Sequence, residues 1–141
     1  MRFMGLMVLA LVVIQLLNSV AISLHWTAES ANQDALMQLL QQAPLAMVLV
    51  AVVGAPPVEE LIFRGLLMHS LPHLERRGWL IAAGTVSAVV FGLLHAGPNE
   101  PYNMCSYIAM GAVFAATYGY TKDIRYSIAL HFLNNFAALF L

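Results

Sequence analysis

Charge is what this sequence has least of. Asp, Glu, Lys and Arg make up 9% of the 141 residues, whereas soluble domains run near one quarter charged. With 61% hydrophobic residues and a mean hydropathy of +0.79, the composition excludes an ordinary soluble domain and is that of a membrane protein. A net charge of −1 leaves no basic footprint, so nucleic acid is not expected as a partner. The single cysteine, Cys105, excludes an intrachain disulfide, and its apolar surroundings mark it as a small packing residue rather than a nucleophile. Zinc-finger spacing, a phosphate loop and an HExxH helix are all missing, as are long repeats and low-complexity tracts. A single membrane domain over residues 1–141 is therefore expected.

What the chain does have is apolar segments of bilayer length. Residues Phe3 to Leu24 are apolar except for Gln15, Asn18 and Ser23 and predict a first span. Arg2 with the small residues Ser19 and Ala21 also fits a signal peptide, but the length of the apolar run favours an uncleaved span. His25 to Gln42 is polar and lacks lysine and arginine. Ser30 with Gln33 reads as a capping box, and Leu36, Leu39 and Leu40 recur at helical spacing, so a short helix on the membrane surface is expected. Further spans are predicted at Pro44 to Leu71, Trp79 to Ala96, Tyr102 to Tyr120 and Tyr126 to Leu141. Gly84, Ala88, Gly92 and Ala96, and then Gly111, Ala115 and Gly119, form small-residue stripes that let helices approach closely. The fold class is thus all-α, a polytopic bundle of five spans plus one interfacial helix, with its core at about residues 44–141.

Arg2, Arg76, Arg77, Lys122 and Arg125 all fall on one side of such a five-span chain, and the opposite loops carry no basic residue. The positive-inside rule then places the N-terminus in the cytoplasm, in a bacterial cytoplasmic membrane. The sixth basic residue, Arg64, lies inside a span and needs a partner.

That partner is close in sequence. Pro56-Pro57-Val58-Glu59-Glu60-Leu61-Ile62-Phe63-Arg64 places two carboxylates and an arginine in an otherwise apolar segment. Pro56 is expected to break or kink the arriving helix, with Pro57 and both glutamates in the first turn of a new one. Glu60 and Arg64 are spaced to pair on one face, while Glu59 lies about 100° around the helix and is free. Two more polar clusters sit inside apolar helices: His95, and His131 with Asn135. Counted at about 1.5 Å per residue, Glu59 lies roughly 18 Å deep, His95 roughly 24 Å and Asn135 roughly 14 Å. All fall in the middle zone of the bilayer, though not at one level. His25, His69 and His73 lie in or near polar loops and interfaces and are not site candidates. Together the buried carboxylate, imidazoles and amide can activate a water and stabilise an oxyanion.

Glu59-Glu60-x-x-x-Arg64, Phe91-x-x-x-His95 and His131-x-x-x-Asn135 resemble, in order, the three motifs of the CAAX protease and bacteriocin-processing (CPBP, or Abi) superfamily of intramembrane endopeptidases. The resemblance covers about residues 54 to 138. It implies Glu59 as the general base acting with His95, His131 and Asn135 as the oxyanion pair, and Glu60, Arg64 and Phe91 as supporting residues. It further implies hydrolysis of a membrane-associated peptide or protein, of which a prenylated CAAX-like segment and a leader peptide are candidates. No cofactor is expected. Zinc at Glu59, His95 and His131 is the alternative, disfavoured because a neutral amide such as that of Asn135 is a poorer zinc ligand than oxyanion donor. The chain has fewer spans ahead of the first motif than many such proteins, which leaves room for an oligomer to complete the cavity wall. Two other classes compete: a non-catalytic scaffold or bacteriocin-immunity protein keeping the fold, and a proton or ion carrier. A carrier wants acidic groups along a path, and only this one cluster is present.

Overall fold

The computed structural model describes residues 2–140, which form six helices and no strand. They are α1 (Arg2–Ser23), α2 (Ala31–Gln42), α3 (Pro44–Ser70), α4 (Arg77–His95), α5 (Pro101–Thr121) and α6 (Ile124–Ala137). This is the expected all-α bundle, with large apolar side chains such as Leu6, Leu9, Leu49, Leu66, Ile81 and Leu94 turned outward as lipid requires. Helices α1, α3 and α4 are each long and apolar enough to cross a membrane. The two remaining expected spans are present as α5 and α6 but do not meet that measure. Helix α6 has 14 residues, and α5 carries Asn103 and Thr117. Their polar groups face inward: Asn103, Thr117, Ser127, His131 and Asn134 are all buried. Leu141, at the end of the last expected span, lies outside the described residues.

Helices α1 and α5 run antiparallel, and contacts at each end show it. The ring of Phe3, at the start of α1, stacks at 3.9 Å on Tyr120 at the end of α5. At the other end, Tyr102 at the start of α5 donates to the Leu17 carbonyl at 3.0 Å. Helix α2 starts where the sequence signals it. Ser30 is the N-cap, and its hydroxyl accepts from Gln33 N–H at 3.1 Å. The reciprocal half of the box is not made, because the Gln33 side chain instead donates to the Ala138 carbonyl across the bundle. Asp123 caps α6 in the same manner, and the Arg125 guanidinium hydrogen-bonded to it holds its carboxyl below the usual carboxylate range.

Pro56 does not break α3. Helical backbone runs through Pro44–Ser70, with π-helical turns at Leu49–Gly54 and Leu61–Leu67 on either side of Ala55–Glu60. A wider turn relieves the clash between a proline ring and the carbonyl four residues back. Ala55 N–H accordingly bonds to the Val50 carbonyl, five residues earlier. No new helix begins at Pro57, so the two glutamates sit mid-helix, away from any N-terminal dipole. The wide turn also has a cost. A five-residue step directs the Ala51 carbonyl to Pro56, which has no N–H to give. Asn135 repairs this by donating from Nδ2 to the Ala51 oxygen at 3.0 Å.

Helices α4 and α5 make the most intimate pair, as the small-residue stripes predict. A Cβ added at Gly92 would lie 2.9 Å from Ile108 N and 3.0 Å from Met104 O, and one at Gly111 3.1 Å from Ala88 Cα. Leu11, Phe63, Phe91, Met110, Phe114 and Leu130 form the main core below this crossing. Cys105 is not packed into that core: it is exposed on α5, since the helix face it occupies points outward.

Candidate active site

Glu60 and Arg64 pair as their spacing predicts, with 2.8 Å between Arg64 Nη1 and Glu60 Oε1, and both side chains are 0% exposed. The guanidinium is held on several sides at once. Its Nη2 donates to the Gly111 carbonyl at 2.8 Å, and the rings of Phe63, Phe91 and Phe114 surround it at 5.3–5.6 Å. Close approach of α5 at Gly111 is therefore what lets its backbone serve as a ligand for a cation carried on α3.

Glu60 accepts a second hydrogen bond, from His131 Nδ1 on α6 at 2.9 Å. Because that carboxylate already pairs with Arg64, it is the acceptor, and the Nδ1 of His131 carries the proton. On α4, His95 Nδ1 donates to the Phe91 carbonyl at 2.8 Å, a bond with only one possible direction. Both imidazoles thus turn Nε2 toward the same atom. Glu59 Oε2 lies 3.4 Å from His95 Nε2 and 3.6 Å from His131 Nε2. With each Nδ1 proton committed elsewhere, a neutral ring would point a lone pair at a carboxylate oxygen. At 3.4 and 3.6 Å neither contact is a short hydrogen bond, and Glu59 Oε2 is a buried oxygen flanked by the two rings. Aromatic rings fix both imidazoles: Phe91 stacks on His95 at 4.1 Å, and Phe114 stacks on His131 at 4.4 Å.

Counting straight helices spread these groups over several ångströms of depth. The structure nevertheless draws Glu59, His95 and His131 together. Asn135 lines the same cavity one turn beyond His131. The cavity measures about 440 Å³. Two of its groups were not singled out by the sequence reading. Asn134 is buried, accepts from Gln15 Nε2 of α1 at 3.1 Å and donates to Asn135 Oδ1 at 3.3 Å. Phe114 had no motif to mark it, although its position within a turn of Gly111 placed it near the Arg64 site. Gln15 and Asn18 were visible as polar breaks in an apolar run, yet nothing in the run itself pointed to the site. His69 lies apart, between the Arg64 carbonyl and Tyr118. Among the described residues, no group of three His, Cys, Asp or Glu side chains is arranged to hold a metal ion.

The described residues thus form an all-α bundle in which Glu59, His95 and His131 meet at one polar cavity. Residues 41–137 match the family model described as Type II CAAX prenyl endopeptidase Rce1-like. The chain belongs to that family. It is 36% identical over 107 residues to a Bacillus subtilis protein named "Putative membrane peptidase YdiL", covering 76% of this chain and 41% of that one. It is also 29% identical over 109 residues to "Membrane-embedded CAAX protease MroQ" of Staphylococcus aureus, covering 75% of this chain and 42% of the other. The chain thus spans about two fifths of the length of these relatives. No solved structure matches it.

Proposed function

We propose that this chain is an intramembrane endopeptidase of the glutamate type, in which Glu59 is the base that activates water. The single observation that carries this reading is the contact of one Glu59 oxygen with two imidazoles whose other nitrogens are already committed. In the proposed reaction, Glu59 and His95 take the proton of a water as its oxygen attacks the scissile carbonyl. The C–N bond then breaks, and the same proton is returned to the leaving amine. His131, as an imidazolium, donates from Nε2, and Asn135 donates the Nδ2 hydrogen not given to Ala51, so that both steady the oxyanion. Glu60 and Arg64 hold the cluster in place without touching substrate.

The substrate proposed is a membrane-associated peptide or protein, reached from a bilayer that the chain spans with its N-terminus in the cytoplasm. Family membership supports a prenylated CAAX-like or leader-peptide segment as the class. No metal is part of this mechanism. Zinc at Glu59, His95 and His131 is the competing assignment, and full loss of activity to a strong chelator, reversed by zinc, would establish it. The experiment that tests the reading is a peptide survey of bacterial membranes containing either the parent chain or Glu59→Gln. Peptide ends that appear only with the parent are expected, and an identical set of ends from both would overturn the proposal.

A further inference from the structure

The six helices place their basic ends and their cavity at opposite poles. Arg2 opens α1, Arg76 and Arg77 open α4, and Lys122 and Arg125 flank the turn from α5 to α6. The Phe3–Tyr120 stack draws the first and last of these together at one pole. The cavity belongs to the other pole. Its wall is made by the last turns of α1 at Asn18 and Ser19, by Glu29 in the following loop, by Gln33 of α2 and by His95 in the last turn of α4.

Toward the basic pole the space beneath the cavity is filled. Below Glu59, toward the basic pole, come the fully buried Glu60–Arg64 pair and then Phe63, Met68, Phe114 and Leu130, each 4% exposed or less. A peptide has no passage there without unmaking the ion pair. At the opposite pole the wall is polar and bounded by α2, which specific bonds hold in place. Ser30 Oγ meets Tyr107 Oη at 2.9 Å, Ala31 N–H donates to Glu100 at 3.1 Å, and Asn103 donates to the Ala28 carbonyl at 3.2 Å.

We infer that the scissile segment enters from the non-cytoplasmic face, through the polar entrance bounded by α1 and α2, so that of the two substrate classes proposed above an exported leader-type segment fits and a prenylated CAAX-like one held on the cytoplasmic face does not. This deepens the peptidase reading and rests on it, together with the orientation set by the basic residues. The entrance also selects by charge. Among the described residues outside the catalytic cluster, Glu29 is the one carboxylate lining the cavity and no lysine or arginine lines it, so acidic segments are repelled and neutral or basic ones admitted. Helices α1 and α2 lie almost wholly outside the family match at residues 41–137, so this entrance is built by the less shared part of the chain.

The test is accessibility of single cysteines to a membrane-impermeant maleimide, in a Cys105→Ala background expressed in bacterial cells. Arg76→Cys and Asn99→Cys report the two poles. Ser19→Cys reports the cavity wall, with Ser106→Cys on α5 as a second reporter should the first fail to fold. In intact cells Asn99→Cys, Ser19→Cys and Ser106→Cys are expected to label. Arg76→Cys is expected to label only in inside-out vesicles. Cavity cysteines that label only from the Arg76 side, or from neither side, overturn the inference while leaving the orientation standing. Labelling of Asn99→Cys from the inside overturns the orientation and the inference together. Because labelling requires no turnover, failure of the peptidase reading is seen separately, in the peptide survey.

Discussion

Removing Arg64 should damage the fold more than any other single truncation in the site. In Arg64→Ala, Glu60 loses its 2.8 Å partner while remaining 0% exposed, and His131 Nδ1 is left as its sole hydrogen-bond donor. Stranding one member of a buried pair typically costs about 3–5 kcal/mol. The Gly111 carbonyl also loses its charged donor, although inside α5 it keeps its helical backbone partner. Against a total stability of about 5–15 kcal/mol, the variant is expected to be largely unfolded or aggregated after extraction. Arg64→Lys keeps the charge but cannot bond Glu60 and Gly111 together while lying among three rings, so it should fall between. Adding Glu60→Gln to Arg64→Ala should recover part of the loss, because an amide is cheaper to strand than a carboxylate. The assay is denaturant unfolding in mixed micelles with the monodisperse fraction measured alongside. A cost for Arg64→Ala below about 1 kcal/mol, the range of an exposed pair, would refute the reasoning.

Asn135→Ala removes a proposed oxyanion donor and should cut kcat by roughly 100-fold or more with KM nearly unchanged. It also strands the Ala51 carbonyl, at about 1–3 kcal/mol, so the melting curve must be read beside the kinetics. Gly92→Ala drives a methyl into Ile108 and the α5 backbone, and should cost about 1–3 kcal/mol as α4 and α5 part, visible as a lower unfolding midpoint.

The helices and the acidic motif were legible because apolar length and i,i+4 spacing act locally. Ser30 capped α2, and Glu60 found Arg64, as nearest neighbours on the helix must. What stayed hidden depends on contacts between distant segments. Pro56 read alone predicts a break, yet α3 absorbs it with a π turn and a side chain borrowed from α6. Hydropathy scores α5 low because a window average cannot tell an inward Asn103 from an outward one, whereas α6, at 14 residues, falls short on length. The His131–Glu60 bond joins residues 71 apart, and only the packed bundle reveals that one imidazole serves both carboxylates. Likewise Gln15, an oddity in an apolar run, gains its meaning from Asn134 at the far end of the chain.

The most direct measurement of the central claim is the turnover of purified Glu59→Gln on a peptide that the parent cleaves, with unfolding midpoints taken from the same preparations. Gln is nearly isosteric, and Glu59 takes no part in the Glu60–Arg64 pair, so the variant should stay folded, with a midpoint lowered only by the lost contacts to the two imidazoles. An amide cannot accept the water's proton, so cleavage should be abolished. A well-folded Glu59→Gln that retains substantial turnover would show that Glu59 is not the base.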